Sequence, residues 1–420
     1  MRLVYSYNIN NSNDLLRLCE TSKDLYNEAL WIIKTNLIND KYVYYNELDS
    51  IMKTKANLDN EVTYRKLKAQ VSQQILKLLD KNIKSYFKSI KDYSKNKSKY
   101  KGKPKLPNYK QKHNLLIYTN QCSTIKDGYI HLSKDLKIPI PQWDKYKEDL
   151  KSFNQIRIIP KLSYIKVEII YEKEENNQEL NYNEFSSIDL GLNNLITLVT
   201  SYNNPLIFSG KQIKSYNQYF NKHISKLKSI KDKQGIKQST KQIKQLYDNR
   251  SNYINDIFHK VSRLIVNYLL HDKIGNLIIG YNEGWKDSIN MGKKNNQNFV
   301  GVAHQKLIEL LNYKCKLVGI KLTTVNESYT SKCDGLALEP VKKQEVYSGR
   351  RKKRGLFNSS VGKLINADVN GSINIMRKVI GDSYVKNKII DSGLLFNPVK
   401  IKNLFEINSK SLLINLNKNE

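Results

Sequence analysis

Three acidic residues, far apart in a chain of 420, are of the type and in the setting that phosphodiester chemistry requires: Asp189, Glu327 and Asp368. Hydrolysing a phosphodiester at neutral pH needs an activated water, an in-line approach, and cover for negative charge on the attacking and leaving oxygens. Two divalent ions roughly 3.5–4 Å apart supply all three, and Mg²⁺ takes hard carboxylate oxygens as ligands. Asp189 interrupts an otherwise apolar strand-like run, Ser186-Ser187-Ile188-Asp189-Leu190-Gly191-Leu192. An unpaired carboxylate there costs on the order of several kcal/mol, so it calls for a cation or a set of donors. The bland alternative is a sheet-edge acid bonded to the backbone of Gly191 or Asn193. Asp368 opens Asp368-Val369-Asn370-Gly371-Ser372-Ile373 and is either a helix cap or a ligand. The middle acid is less clear-cut. The apolar strand Leu277-Ile278-Ile279-Gly280 ends without one, and its nearest acids are Glu283 and Asp287. Glu327 directly follows the strand-like Ile320–Val325, and a Glu side chain spans much of the roughly 4.8 Å between neighbouring strands. The choice stands between Glu327, Glu283 and no middle carboxylate at all.

Positioning these acids takes a sheet, and the order of elements from residue 186 onward is that of an RNase H-like α/β domain. After the Asp189 strand, a Gly/Asn turn leads to Leu195-Ile196-Thr197-Leu198-Val199. Two long helical periods, 211–230 and about 238–270, read as an inserted hairpin with its tip near Gly235. Strand 277–280, a helix from about Ala303 to Leu317, strand 320–325 and a helix from Asp368 to near Ile380 complete the order. The expected domain is 186–395, with 211–270 as helical insertion and 328–367 as an irregular basic segment. A linker at 176–185 precedes it and a tail at 396–420 follows.

The first part of the chain reads as a small β-barrel, 1–10 and 113–175, interrupted by a helical insertion at 11–112. Leu15, Leu18, Ser22, Leu25, Ala29 and Ile33 mark one helix. Leu67, Val71, Ile75, Leu78, Lys81 and Phe87 mark another, starting at about Tyr64. Within 91–112, Lys95, Lys97, Lys99, Lys101, Lys103 and Lys105 face a single acid, Asp92, and Gly102, Pro104 and Pro107 keep the tract extended. These lysines are candidate phosphate contacts. So are Arg350-Arg351-Lys352-Lys353-Arg354, for which a solvated loop is the alternative.

The balance of 71 Lys+Arg against 39 Asp+Glu gives a net charge of +32. That excludes an ordinary small-metabolite enzyme as the default, since so much self-repulsion suits a chain that meets a polyanion. Cys19, Cys122, Cys315 and Cys333 are scattered without a CxxC pair, and the six histidines have no ligand spacing. No 18-residue apolar run exists. The expected setting is cytoplasmic and prokaryotic, with no membrane and no identifiable protein partner.

The motif set Ile188-Asp189-Leu190-Gly191-Leu192, Gly280-Tyr281-Asn282-Glu283-Gly284-Trp285-Lys286, Glu327-Ser328-Tyr329-Thr330-Ser331-Lys332 and Asn366-Ala367-Asp368-Val369-Asn370-Gly371 resembles the TnpB proteins, RNA-guided nucleases of insertion sequences related to type V CRISPR effectors. In the first half, Gln70–Ile75 and Gly102–Pro107 are similar as well. The resemblance implies a wedge β-barrel with an inserted recognition helical domain, then a RuvC nuclease domain. It implies a guide RNA from the transposon end, a double-stranded DNA target beside a short motif, and a two-Mg²⁺ centre in which Mn²⁺ could substitute. Asp189 matches the first RuvC carboxylate and Asp368 the third. Most relatives have the second as a Glu ending the strand that here ends at Gly280, whereas one branch has it at the Glu-Ser-Tyr-Thr-Ser motif, as Glu327 would. Many relatives also place four cysteines between that motif and the last Asp. Only Cys333 lies there in this chain, so no structural zinc is expected. The competing readings are a guided DNA-binding protein that does not cut, an autonomous transposase on the same fold, and an RNA-binding scaffold.

Neutralising four of the lysines between Lys95 and Lys105 should weaken nucleic-acid binding. It should also flatten the plot of log affinity against log salt by about 0.9 for each duplex-DNA phosphate that a lysine no longer neutralises. A filter-binding titration at several salt concentrations measures both; an unchanged slope rejects the tract as a phosphate-binding element.

Overall fold

The computed structural model describes residues 1–282, 303–353 and 355–404, in two units divided between Glu174 and Glu175. Glu283, Asp287, Trp285, Arg354 and the end of the tail lie outside the described residues.

In the first unit, β1 (Arg2–Ile9) leads into α1 (Asn13–Ile38), capped by the Ser12 hydroxyl, which accepts from the Leu15 amide. The apolar stripe read from α1 faces inward, with Leu15, Leu25, Ala29 and Ile33 buried. After α2 (Tyr45–Met52) a short turn, Thr63–Lys66, precedes α3 (Ala69–Lys95). The periodicity from Tyr64 therefore starts a helix five residues too early. Its buried face is Val71, Ile75, Leu76, Leu79 and Ile83, whereas Lys81 and Phe87 are exposed. β2 (Leu116–Thr119), β6 (Phe153–Pro160) and β7 (Ile165–Glu172) join β1 in an antiparallel sheet ordered β1-β7-β6-β2. Between β2 and β6 lie the small sheet β3 (Thr124–Lys126), β4 (Tyr129–His131), β5 (Lys137–Pro139) and helix α4 (Trp143–Leu150). The strands of this unit thus occupy two antiparallel sheets, and one apolar core joins them to the helices.

The basic tract is less extended than its sequence suggests, because α3 runs on to Lys95 and a short turn takes up Lys97–Lys99. Asp92 is the cause. It accepts from Asn96 Nδ2 (3.1 Å), Lys99 Nζ (3.2 Å) and Tyr100 Oη (2.7 Å), so Lys99 is ion-paired. Lys95, Lys97, Lys101, Lys103 and Lys105 are all exposed.

The second unit is built on six strands. β8 (Asn181–Leu190), β9 (Asn194–Thr200) and β10 (Leu206–Ser209) form an antiparallel meander; β11 (Ile274–Gly280) and β12 (Lys321–Val325) add in parallel beside β8. The order is β12-β11-β8-β9-β10-β16, where β16 (Val399–Ile401) pairs in parallel with β10. The expected tail therefore begins inside the sheet. α5 (Lys211–Lys233) and α6 (Lys241–His271) form the helical hairpin, with Gly235 in the left-handed region at its turn and Tyr216 stacked on Tyr253. α6 and α7 (His304–Lys316) cover one face of the sheet with Ile257, Phe258, Leu307 and Leu311. α8 (Ala367–Ile380) covers the other with Val369, Ile373 and Met376. Among the described residues no helix is long and apolar enough to cross a membrane.

The segment 328–367 is more ordered than its turn-rich sequence indicates. β13 (Arg350–Lys353), β14 (Leu356–Asn358) and β15 (Leu364–Asn366) form an antiparallel meander leading into α8. Its anchor is Asp334, which is fully buried. One carboxylate gathers the Ser359 hydroxyl (2.8 Å to each oxygen), the Ser360 amide (2.7 Å) and hydroxyl (3.0 Å), and the Ala337 amide (3.3 Å). That ties the 333–340 loop to the tip between β14 and β15. The far side hangs from α8, where Asn370 and Asn374 donate to the Cys333 carbonyl at 2.9 and 2.8 Å.

Asp334→Ala strands several buried donors and should destabilise this segment by about 2–4 kcal/mol. Hydrogen–deuterium exchange should show protection lost in β14 and β15 while β8 and β9 keep theirs; equal loss in both would show that the segment does not depend on this carboxylate.

Candidate active site

Side chains alternate across a strand, so Ser187 and Asp189 of β8 point to the same face, the one α8 covers. The Ser187 hydroxyl donates to the Ser372 carbonyl (2.8 Å) and the Ser372 hydroxyl to the Ser187 carbonyl (3.0 Å), clipping helix to strand two residues from Asp189. The approach is close enough to require glycine. A Cβ on Gly371 would stand 2.7 Å from Asp189 Oδ2, which accounts for a residue that otherwise costs a helix about 1 kcal/mol. One turn back along α8 is Asp368. It does not cap the helix: the Asn366 side chain does, accepting from the Asp368 (2.9 Å) and Val369 (3.3 Å) amides. Relieved of that duty, Asp368 Oδ2 accepts a short bond from Asn194 Nδ2, 2.6 Å, across the β8–β9 turn. Asp189 lies on a central strand, paired across to Thr197 of β9, which removes the sheet-edge alternative.

The register brings Glu327 to the same end of the sheet. Ile188 is level with Ile279 and Gly280 with Val325, so Asp189, Gly280 and Val325 stand in a row and Glu327 follows two residues beyond. A Cβ on Gly280 would lie 3.2 Å from Glu327 Cβ and clash with Ile375. Glu327 thus borders the space that a side chain ending β11 would fill. The Asn282 side-chain oxygen accepts from the Glu327 amide (3.1 Å), and its nitrogen reaches Glu327 Oε1 at 3.5 Å. Asn194, Asn282 and Gly371 were not among the residues singled out by sequence; a polar amide or a glycine beside an acid is too common a pattern to announce itself.

Electrostatics reflect this gathering. Burial first, then the charges of Asp368 and Glu327, hold the Asp189 carboxyl well above the usual carboxylate range, with Arg351 and the Leu190 amide pulling it back. Burial also raises Glu327, against Lys378. Among the described residues no three His, Cys, Asp or Glu side chains close around one ion. Mg²⁺ does not need such a cage, because it is commonly held by one or two carboxylates with waters and a substrate phosphate. The all-oxygen donor set, and an acid destabilised by its acidic neighbours, fit divalent cations.

Beside Asp368 opens a cavity of about 490 Å³, bounded by the Gly191–Asn194 turn, Arg351 of β13 and Lys400 of β16. Arg351 and Lys400 bring positive charge to it from two separate strands. Arg350, Arg351, Lys352 and Lys353 are all exposed along β13. Lys400 could not be singled out by sequence, since it sits in a strand of three residues.

Two family models match the chain: OrfB_IS605, described as "Probable transposase", over residues 168–286, and the Cas12f1-like TNB domain over residues 304–375. A curated relative, the TnpB-like protein ORF457 of Acidianus two-tailed virus, is 27% identical over 208 residues, 47% of this chain and 42% of that protein. The chain thus spans less than half the length of that relative. Among solved structures, the Cas12f1 chain of a complex with sgRNA and target DNA is similar in fold, with a TM-score of 0.52 and 13% identity over 87% of this chain and 83% of that one.

In the unfolded chain Asp189 ionises near the ordinary value of about 3.9, whereas the folded chain holds its proton to higher pH. Above that ordinary value the folded state is therefore progressively disfavoured, and below it the effect vanishes. Asp189→Asn should raise the Tm of the metal-free protein at pH 8, by about 2–4 °C per kcal/mol relieved, and leave it unchanged near pH 4. Thermal scans across that range check this; an equal shift at both ends would assign the gain to packing instead.

Proposed function

We propose that this chain, similar to TnpB-like and Cas12f1-like proteins, is an RNA-guided DNA endonuclease of the TnpB family, which hydrolyses phosphodiesters of a double-stranded target chosen by pairing with a guide RNA beside a short DNA motif. The observation that carries this reading is the gathering of acids at one end of the sheet: Asp189 against Gly371, one turn from Asp368 on α8, with Glu327 beside Gly280 in the register that continues from Asp189. The strand order β10-β9-β8-β11-β12 with α8 across it supports taking the second unit as a RuvC nuclease domain. On the same reading the first unit is the wedge and helical recognition region, and the segment around β13–β15 loads the target without structural zinc.

Two Mg²⁺ ions, with Mn²⁺ as a substitute, would activate water and cover charge on the attacking and leaving oxygens when bound. Asp189, Asp368 and Glu327 are the residues that would hold them. Asn194 orients Asp368 by its hydrogen bond, and Asn282 does the same for the peptide of Glu327. Arg351 and Lys400 would neutralise phosphates running through the cavity beside Asp368, and the exposed lysines from Lys95 to Lys105 those of guide or target. Sequence choice then belongs to base pairing, and the protein's contacts go to backbone. A cytoplasmic prokaryotic setting accords with this.

One feature favours a second reading, guided binding without cutting: β11 ends in Gly280, with no carboxylate of its own. The two readings separate in one experiment. RNA that co-purifies with the protein is sequenced, and a plasmid bearing the matching target is incubated with the complex and Mg²⁺. Cleavage is expected, with Asp189→Ala and Glu327→Ala each slowing it by about 10³-fold or more while target binding stays within about twofold. Binding without cleavage in the unmodified protein supports the second reading, and strand joining without any co-purified RNA would mark an autonomous transposase.

A further inference from the structure

Glu327 poses a mechanical problem that Asp189 and Asp368 do not. They ride on a central strand and on a helix, whereas Glu327 stands two residues beyond the end of β12, in a loop. A ligand must be held to within about 0.5 Å to act, and loops do not do so unaided.

We propose that Lys378, with Asn282, is the positioning residue that fixes Glu327 at the centre and sets its spacing from Asp368. This inference rests on the metal-dependent nuclease reading. Lys378 Nζ donates to the Asn326 carbonyl at 2.9 Å and to the Ser328 carbonyl at 2.7 Å, the carbonyls of the residues on either side of Glu327. One ammonium therefore grips the loop on both sides of the acid. Asn282 holds the peptide between, accepting from the Glu327 amide, and the Thr330 hydroxyl donates to the Glu327 carbonyl at 2.8 Å. The loop has little freedom left to rotate the side chain away.

The location of Lys378 adds the second half of the argument. It lies on α8, ten residues beyond Asp368, about 15 Å along the helix axis. Between them Gly371 packs on Asp189 and Ser372 bonds to Ser187. A single helix thus carries the third acid near one end, rests on the strand of the first, and holds the loop of the second at the other. Spacing among all three is referred to one rigid body. An acid on β11 itself would need no such grip, and the glycine there leaves the space to Glu327.

The test is Mn²⁺ binding to the full-length protein, followed by electron paramagnetic resonance, for the unmodified chain, Lys378→Gln, Lys378→Arg, Asn282→Ala and Asp189→Ala. Lys378→Gln and Asn282→Ala should each weaken Mn²⁺ about tenfold, the lower end of what supporting residues contribute, and Lys378→Arg should restore most of it. In guided cleavage the same two variants should need about tenfold more Mg²⁺ for half-maximal rate and approach the normal rate at saturation, with target affinity unchanged. Unaltered Mn²⁺ affinity in Lys378→Gln and Asn282→Ala overturns the inference. So does a loss of rate that no Mg²⁺ concentration repairs. Should Lys378→Gln fail to fold, Asn282→Ala decides by the same criteria. If the unmodified chain binds Mn²⁺ no better than Asp189→Ala, the metal-centre reading itself fails.

Discussion

Like charges repel, and this protein brings three carboxylates to one end of one sheet. Two unit charges 4 Å apart near a protein surface interact by roughly 4 kcal/mol, so folding alone does not favour the assembly. The second unit is arranged to tolerate it. Serines 187 and 372 exchange hydrogen bonds where larger side chains would hold strand and helix apart, and Gly371 leaves room for the carboxylate of Asp189. Among the described residues Arg351 supplies a favourable charge that reaches Asp189. What remains uncompensated keeps the proton affinity of Asp189 high.

A second buried acid shows the contrast. Asp334 is as enclosed as any residue in the protein, yet both its oxygens are occupied by hydroxyls and amides of the chain itself. Saturated with donors, it can only hold structure. Among the described residues Asp368 and Glu327 each meet one side-chain amide, from Asn194 and Asn282. The number of donors supplied, more than burial, separates a structural acid from one available to a ligand.

How far this could be read in advance depends on what each residue signals locally. β8, β9, β11, α5, α6 and α7 announce themselves by apolar runs or helical periods, and Asp189 stands out because it violates one. Glu327 followed from strand spacing, an argument that registers the end of β12 but not what steadies the loop. The short strands β3, β5 and β13–β16 have three or four residues each, too few for a period, and form beside partners that pair with them. Asp368 reads as a cap when taken alone and as a ligand when taken with Asp189; in the structure the cap is Asn366, two residues earlier. The reach of α3 into the basic tract turned on Asp92, the one acid there, whose three bonds no period reports.

The distance along the chain between β8 and α8 carries a consequence for synthesis. Asp189 emerges from the ribosome 179 residues ahead of Asp368, which at about 5–20 residues per second is on the order of 10–35 seconds. During that interval the growing polypeptide has its first acid but neither the helix that braces it nor the strand Val399–Ile401 that closes the sheet beside β10. The end of the sheet around Asp189 is thus assembled late in synthesis, since Glu327 follows it by 138 residues and Asp368 by 179.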